Sequence, residues 1–399
     1  MKINGQNNRI FEKDKKAFGY ADICIVIALL CMIFILLGEP IKNQAIVRIG
    51  SRGLLISVYG FAFVQLVTVL KTQGLKNSFH AFILYFVVII AAVTCGISAV
   101  LGKPVQLACF LMLPTCILLF KSTVNVKTIK VAIYVANAVF LLLWTVLFFI
   151  PSISHAFYNE FGKQTIEELT LGYDNPNQTG MYLVVSFVIA LSGFRRKNNK
   201  VIQSLFLVES IWTAYLTILT LSRVCIALII FISVVWLVGG ARKAGKKTTA
   251  VILFVPLVFA LLLIFGNEKF LNTILFGDTL DNGRSLMVKE FVETLNPLTF
   301  IFGNFAKFIG NNMHNGYVTI FAVTGIFGII VYLGFLWNVL SSYLNQIDNN
   351  SPSDKIAFVG ILAVILHFTV ESAFLTSGMI YALFVGLLFV LTLNEGEEK

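Results

Sequence analysis

The chain has 399 residues, 58% of them hydrophobic and only 13% charged, with a mean hydropathy of +0.87. Soluble domains carry roughly a quarter charged residues, so this composition excludes a soluble globular domain and points to an all-α, polytopic integral membrane protein. The net charge of +10 is dispersed at the ends of apolar runs, which assigns it to membrane topology and anionic lipid heads and leaves no basic patch for nucleic acid.

In chain order, a basic start (Lys2, Arg9, Lys13, Lys15 and Lys16) leads straight into an apolar run that reads as a first spanning helix, not as a cleavable signal. Hydropathy predicts twelve spans, at 20–38, 53–70, 79–101, 104–120, 131–150, 178–194, 202–221, 223–239, 249–266, 316–340, 356–375 and 377–394. They make residues 1–399 a single membrane domain. The runs 202–239 and 356–394 are interrupted only around Ser222–Arg223 and Thr376–Gly378. Each is too long for one ~30 Å crossing at about 1.5 Å per residue, so each reads as a tight outer hairpin. With the N-terminus inside, inner segments hold 20 of the 30 Lys and Arg, most densely at Arg195, Arg196, Lys197, Lys200 and at Arg242, Lys243, Lys246, Lys247. That asymmetry predicts two cytoplasmic termini.

Cys24, Cys31, Cys95, Cys109, Cys116 and Cys225 fall in or at the ends of spans and read as small packing residues. The four histidines (His80, His155, His314 and His367) show no metal-ligand spacing, and no metal or cofactor is expected.

Two expected outer loops exceed the others in length. Residues 151–177 lead into YDNPNQTG at 173–180, and residues 267–313 form the larger loop. In the second, Asp281 is placed to cap a short helix running to about Thr294, with Met287, Phe291 and Leu295 on one face and Asn296–Pro297 as its stop. An amphipathic helix there would lie at the membrane surface, as an ordered lid or substrate platform.

Even-numbered spans start on the outside in this topology. Asn175–Pro176–Asn177 precedes the sixth, Ser222–Arg223 opens the eighth and His314–Asn315 opens the tenth. Helix N-termini carry partial positive charge and free N–H groups. If these helices are neighbours, the three starts form an anion site walled by apolar helices. Plain readings stand beside this one: the asparagines as helix caps, Arg223 snorkelling at the interface, His314 as an interfacial hydrogen-bonder. Glu371, inside the eleventh span with His367 one turn below, is either half of an ion pair (with Arg223 or Arg284) or part of the site. Glu209 is a weaker position of the same kind, and Arg48 and Arg52 either touch ligand or belong to a solvated loop.

Over about 170–340 the chain resembles the O-antigen and capsular polysaccharide polymerase and O-antigen ligase superfamily (Wzy-type and WaaL-type), a C-type glycosyltransferase group. The matching elements are NPN before a helix, TLSR at 220–223, a long outer loop with an early Arg284, Gly303 after an apolar stretch, and His314–Asn315–Gly316–Tyr317 followed by Gly325–Ile326–Phe327–Gly328. The chain departs from the family's pattern at Gly303–Asn304, where Gly-x-Gly is frequent, and at Thr324, where an acidic residue is frequent.

The resemblance implies inverting glycosyl transfer at the outer face of a bacterial cytoplasmic membrane, with donor and acceptor oligosaccharides carried on undecaprenyl diphosphate. It also implies a flippase and a chain-length regulator as pathway partners. A ligase would use a different acceptor; a lipid-linked oligosaccharide flippase or transporter is the alternative of another class. The residue chemistry fits transfer. Arginine holds phosphate oxygens bidentately, so Arg223 and Arg284 are expected on the leaving diphosphate. The dipole of the following helix disfavours charged His314, leaving a neutral base for the acceptor hydroxyl. Asn175, Asn177, Asn315 and Glu371 are expected to bind substrate.

Overall fold

The computed structural model describes residues 19–72, 104–158, 166–173, 175–196, 199–240, 284–309, 315–344, 352–369 and 379–393. In chain order the helices are α1 (Tyr20–Gly38), α2 (Gln44–Thr72), α3 (Pro104–Lys121), α4 (Val126–Phe148) and a single turn, α5 (Pro151–Ser154). The strands β1 (His155–Tyr158) and β2 (Ile166–Leu169) follow, and then α6 (Pro176–Arg196), α7 (Lys200–Leu219) and α8 (Arg223–Gly240). The last group is α9 (Arg284–Glu293), α10 (Pro297–Phe302), α11 (Phe305–Phe308), α12 (Gly316–Leu344), α13 (Pro352–His367) and α14 (Met379–Thr392). Helices dominate because a backbone inside lipid must satisfy its own hydrogen bonds. Among the described residues, six helical stretches are long and apolar enough to cross a membrane: α1, α4, α6, α7, Gln44–Val64 of α2 and Gly316–Gly334 of α12. The expected runs 79–101 and 249–266 lie outside the described residues.

The centre of the bundle is α6, α13 and α14. In α6, 83% of the apolar window is buried, and Ile380–Thr392 of α14 is buried throughout. The outer helices expose apolar stripes at helical spacing, as in Val201, Leu205, Val208, Ile211, Tyr215 and Ile218 of α7. Such stripes suit lipid and not water.

Polar ties define the two ends of the bundle. At one end the buried Asp22 carboxylate accepts from the backbone N–H groups of Gly19 (3.0 Å), Val124 (3.1 Å) and Asn125 (3.2 Å), and from the Thr123 hydroxyl. One anion thus ties the N-terminal ends of α1 and α4 together, while Asn125 Oδ1 caps α4 by accepting the Thr128 N–H at 3.2 Å. Nearby on α4, the buried Lys130 ammonium meets Asp354 of α13 at 3.2 Å and donates to the Leu393 carbonyl after α14 at 2.6 Å. At the other end, buried Tyr173 accepts from Trp144 of α4 at 3.0 Å and donates to the Leu36 carbonyl of α1 at 2.9 Å.

The described part of the first long loop is not featureless. It forms an antiparallel hairpin, with His155 opposite Leu169 and Tyr158 opposite Ile166. The Ser154 carbonyl hooks the end of β2 through the N–H groups of Thr170 and Leu171, at 2.8 and 2.9 Å. This hairpin is the departure from a purely helical fold among the described residues.

The expected span 316–340 is not one straight crossing. Gly325 has φ 68° and ψ −167°, which breaks α12 into arms 316–324 and 326–344. Tyr317 and Tyr332, which a straight helix would hold about 22 Å apart, both pack on Phe368, at 5.6 and 6.3 Å between ring centroids. The first arm, of nine residues, reaches only about 13 Å and cannot span a bilayer.

Residues 284–309 of the second long loop are ordered against this break. Asn296–Pro297 does more than stop a helix: Asn296 caps α10, and Pro297 takes its first position. The Asn304 N–H donates to the Ala322 carbonyl at 2.7 Å. Phe291 packs edge-on to Phe308 and Phe321. Gly303 (φ 75°) and Gly325 clasp each other's strands. A Cβ on Gly303 would stand 2.4 Å from the Val323–Thr324 backbone, and one on Gly325 2.2 Å from the Ile301 carbonyl.

Gly303→Ala and Gly325→Ala are therefore each expected to cost on the order of 1–3 kcal/mol, read as a lowered unfolding midpoint in detergent. Because the two touch the same contact, the double variant should lose less than the sum. Unchanged midpoints would contradict the clasp.

Candidate functional site

The turn before α6 and the turn before α8 meet. Asn175 Oδ1 accepts from the Asn177 N–H at 2.8 Å and closes the start of α6. Asn177 is not used as that cap; its Oδ1 accepts from the Ser222 hydroxyl at 2.7 Å, and its carbonyl takes the Cys225 thiol at 3.7 Å. The connection from α7 to α8 is only Thr220–Leu221–Ser222, with Leu221 held at φ 54°. A bulky residue in left-handed backbone is strained. The reversal is fixed by Thr220, whose hydroxyl donates to the Thr217 carbonyl at 2.7 Å and faces the Ser222 N–H at 3.3 Å.

As a result α6 and α8 start at the same end of the bundle and pack against each other, with their positive termini adjacent. Arg223 is the first residue of α8 and is exposed. The start of α12 belongs to this end too. The Gly316 N–H donates to the Phe368 carbonyl at 2.7 Å, just past the end of α13, and the Tyr317 hydroxyl donates to the Ile365 carbonyl at 3.2 Å. Helix α13 packs on both α6 and α8. Asn315 caps α12 by accepting the Val318 N–H at 3.0 Å.

Aromatic groups lie beneath the NPN turn. Gln178 Nε2 donates to the Tyr182 hydroxyl at 2.6 Å, and the Tyr182 ring packs against Tyr173, Tyr381 and Phe384. His367 is buried and stacks on Tyr381 at 6.3 Å. A carboxylate stands here as well: Glu39 follows the end of α1, and burial together with that charge raises the Tyr173 phenol above its ordinary value.

The sequence-predicted residues are thus placed unevenly. Asn175, Asn177 and Arg223 come together, and Asn315 shares their end of the bundle through α13. Arg284 opens α9, which is anchored to α12 through Phe291. His314 and Glu371 lie outside the described residues. Glu209 sits ten residues before the end of α7, about 15 Å along the helix, away from this cluster. Arg48 and Arg52 lie in the early turns of α2 and not in a loop. Glu39, Gln178, Tyr182 and Tyr381 are not singled out by the sequence as site residues. The Gln178–Tyr182 spacing of four was the available signal; buried tyrosines in an apolar chain otherwise read as core.

The Asn177–Ser222 bond predicts coupling between the two turns. Ser222→Ala and Asn177→Leu should each cost about 1 kcal/mol, with a coupling of about 0.5–1.5 kcal/mol in a double-mutant cycle. Additive effects would mean that the bond carries no stability.

No family model matches the chain, and no curated protein matches it.

Proposed function

We propose that the protein is a bacterial polysaccharide polymerase that joins undecaprenyl-diphosphate-linked oligosaccharide repeats at the outer face of the cytoplasmic membrane, without metal and with inversion. The observation that carries this reading is the Ser222–Asn177 hydrogen bond, which holds two helix N-termini and Arg223 at one end of the bundle. Adjacent positive helix ends and an arginine are what a departing lipid diphosphate needs.

In this reaction the acceptor hydroxyl oxygen attacks the anomeric carbon of the donor from the face opposite the diphosphate. The bond from that carbon to the diphosphate oxygen breaks, and its electron pair leaves with the diphosphate. Arg223 and Arg284 stabilise that charge. His314, one residue before the cap of α12, takes the acceptor's proton. Asn177 and Asn315 shape the pocket, Asn175 by closing α6 positions Asn177, and Glu371 contacts sugar. A flippase supplying the donor and a chain-length regulator are the expected pathway partners. A ligase would share every element except the acceptor.

His314→Ala should lower polymerisation by about 10²–10⁴-fold while the protein stays folded in the membrane; long-chain product at the normal level from that variant would refute the assignment. Arg223→Lys keeps the charge but loses the planar fork, so it should lose most activity. Full activity would make Arg223 a structural charge.

A further inference from the structure

Helix α10 reads PLTFIF and lies between two more polar segments, α9 and α11, whose Glu290 and Lys307 approach to 3.7 Å and are both exposed. Leu298 is 65% exposed, and Phe300 is exposed beside it. The N-terminal end of this helix is closed internally, and one bond follows at its C-terminal end. Asn296 Oδ1 accepts from the Leu298 and Thr299 N–H groups, both at 3.0 Å, and the Asn296 N–H donates to the Thr299 hydroxyl at 2.8 Å. That hydroxyl reaches the Thr294 carbonyl at 3.2 Å, and the Gly303 N–H returns to the Thr299 carbonyl at 2.9 Å. Closing these N–H groups within the protein lowers the cost of placing the start of the helix in a low-dielectric medium.

Its position fits such a medium. Phe302 stacks on Phe327 at 6.2 Å. Phe327 heads an exposed apolar stripe, continued by Ile330, Leu333 and Trp337, down the second arm of α12. The second arm, residues 326–344, reaches about 28 Å and is long enough to approach a bilayer's apolar thickness, so its exposed apolar stripe suits lipid. Leu298, one turn before Phe302 on the same face of α10, carries that surface onward, and Phe300 packs edge-on to Phe321 while staying 47% exposed; the exposed Glu290 and Lys307 lie on the flanking helices.

We propose that α10 is inserted into the lipid leaflet at this end of the bundle, with Leu298 and Phe300 among the acyl chains just below the headgroups. The segment 284–309 is then held by the membrane as well as by the Gly303–Gly325 contact. Lipid is the occupant because the surface is continuous with the lipid-facing stripe of α12. The inference does not rest on the glycosyl-transfer reading.

The test uses the full chain in phosphatidylethanolamine–phosphatidylglycerol vesicles. Leu298→Cys and Phe300→Cys carry an environment-sensitive fluorophore, Lys307→Cys serves as the water-exposed control, and the labelled parent sets the background. The expected result is blue-shifted emission from positions 298 and 300, quenched more by nitroxide on carbon 5 of the acyl chain than on carbon 12. Emission like that of position 307 overturns the proposal. Blue-shifted emission that neither nitroxide quenches overturns it too, since protein would then cover the helix. If the cysteine variants do not fold, the unmodified protein is crosslinked with photoactivatable lipid. Adducts within 297–302 support insertion; adducts on 326–344 with none in 297–302 refute it.

Discussion

Inside a bilayer every backbone N–H and C=O must find its partner within the protein, and the rest of this structure follows from that constraint. It makes the crossing segments helical and pushes irregular backbone to the ends of the bundle. There the first N–H groups of each helix need acceptors, and asparagine supplies them repeatedly: Asn43 at α2, Asn125 at α4, Asn175 at α6, Asn199 at α7 and Asn315 at α12. Asp22 adds acceptors for the Gly19 and Asn125 N–H groups beside the starts of α1 and α4. The polar groups the chain keeps are therefore concentrated where helices begin. A concentration of helix starts is also a concentration of positive potential.

The second consequence concerns α12. A break inside an apolar helix frees backbone groups that must be satisfied nearby. Here the chain brings its own partner: residues 301–304 lie against 322–325, and the Asn304 N–H takes the Ala322 carbonyl. Only glycine permits backbones to approach this closely with positive φ on both sides. Loop and break are thus one unit. The glycines at 303 and 325, twenty-two positions apart in sequence, have a single structural reason.

Much of the helical layout was legible in hydropathy, because burial in lipid writes long apolar runs directly into the chain. The runs at 20–38, 104–120, 178–194 and 223–239 coincide with described helices to within a few residues. The break at Gly325 was not legible. A glycine in an apolar run containing Gly328 and Gly334 reads as a packing residue, and only the approach of Gly303 distinguishes it. The β1–β2 hairpin was missed because its strands are four residues each, too short for alternation to register. In sequence Asn296–Pro297 reads as a stop, but the same pair is equally a start signal, and context decides which applies. At the site, the polar helix starts were visible as outliers in an apolar sequence. Which asparagine caps and which bonds across to Ser222 depends on contacts between residues 45 positions apart, which periodicity does not encode.

The proposed glycosyl transfer requires that the cluster at this end handle a lipid diphosphate during bond formation and not during transport. The most direct measurement incubates the purified, reconstituted protein with undecaprenyl-diphosphate-linked oligosaccharide and follows both glycan length and lipid release. Glycosyl transfer yields longer lipid-linked glycans together with free undecaprenyl diphosphate. Movement of the intact donor across the bilayer with no new glycosidic bond would contradict it.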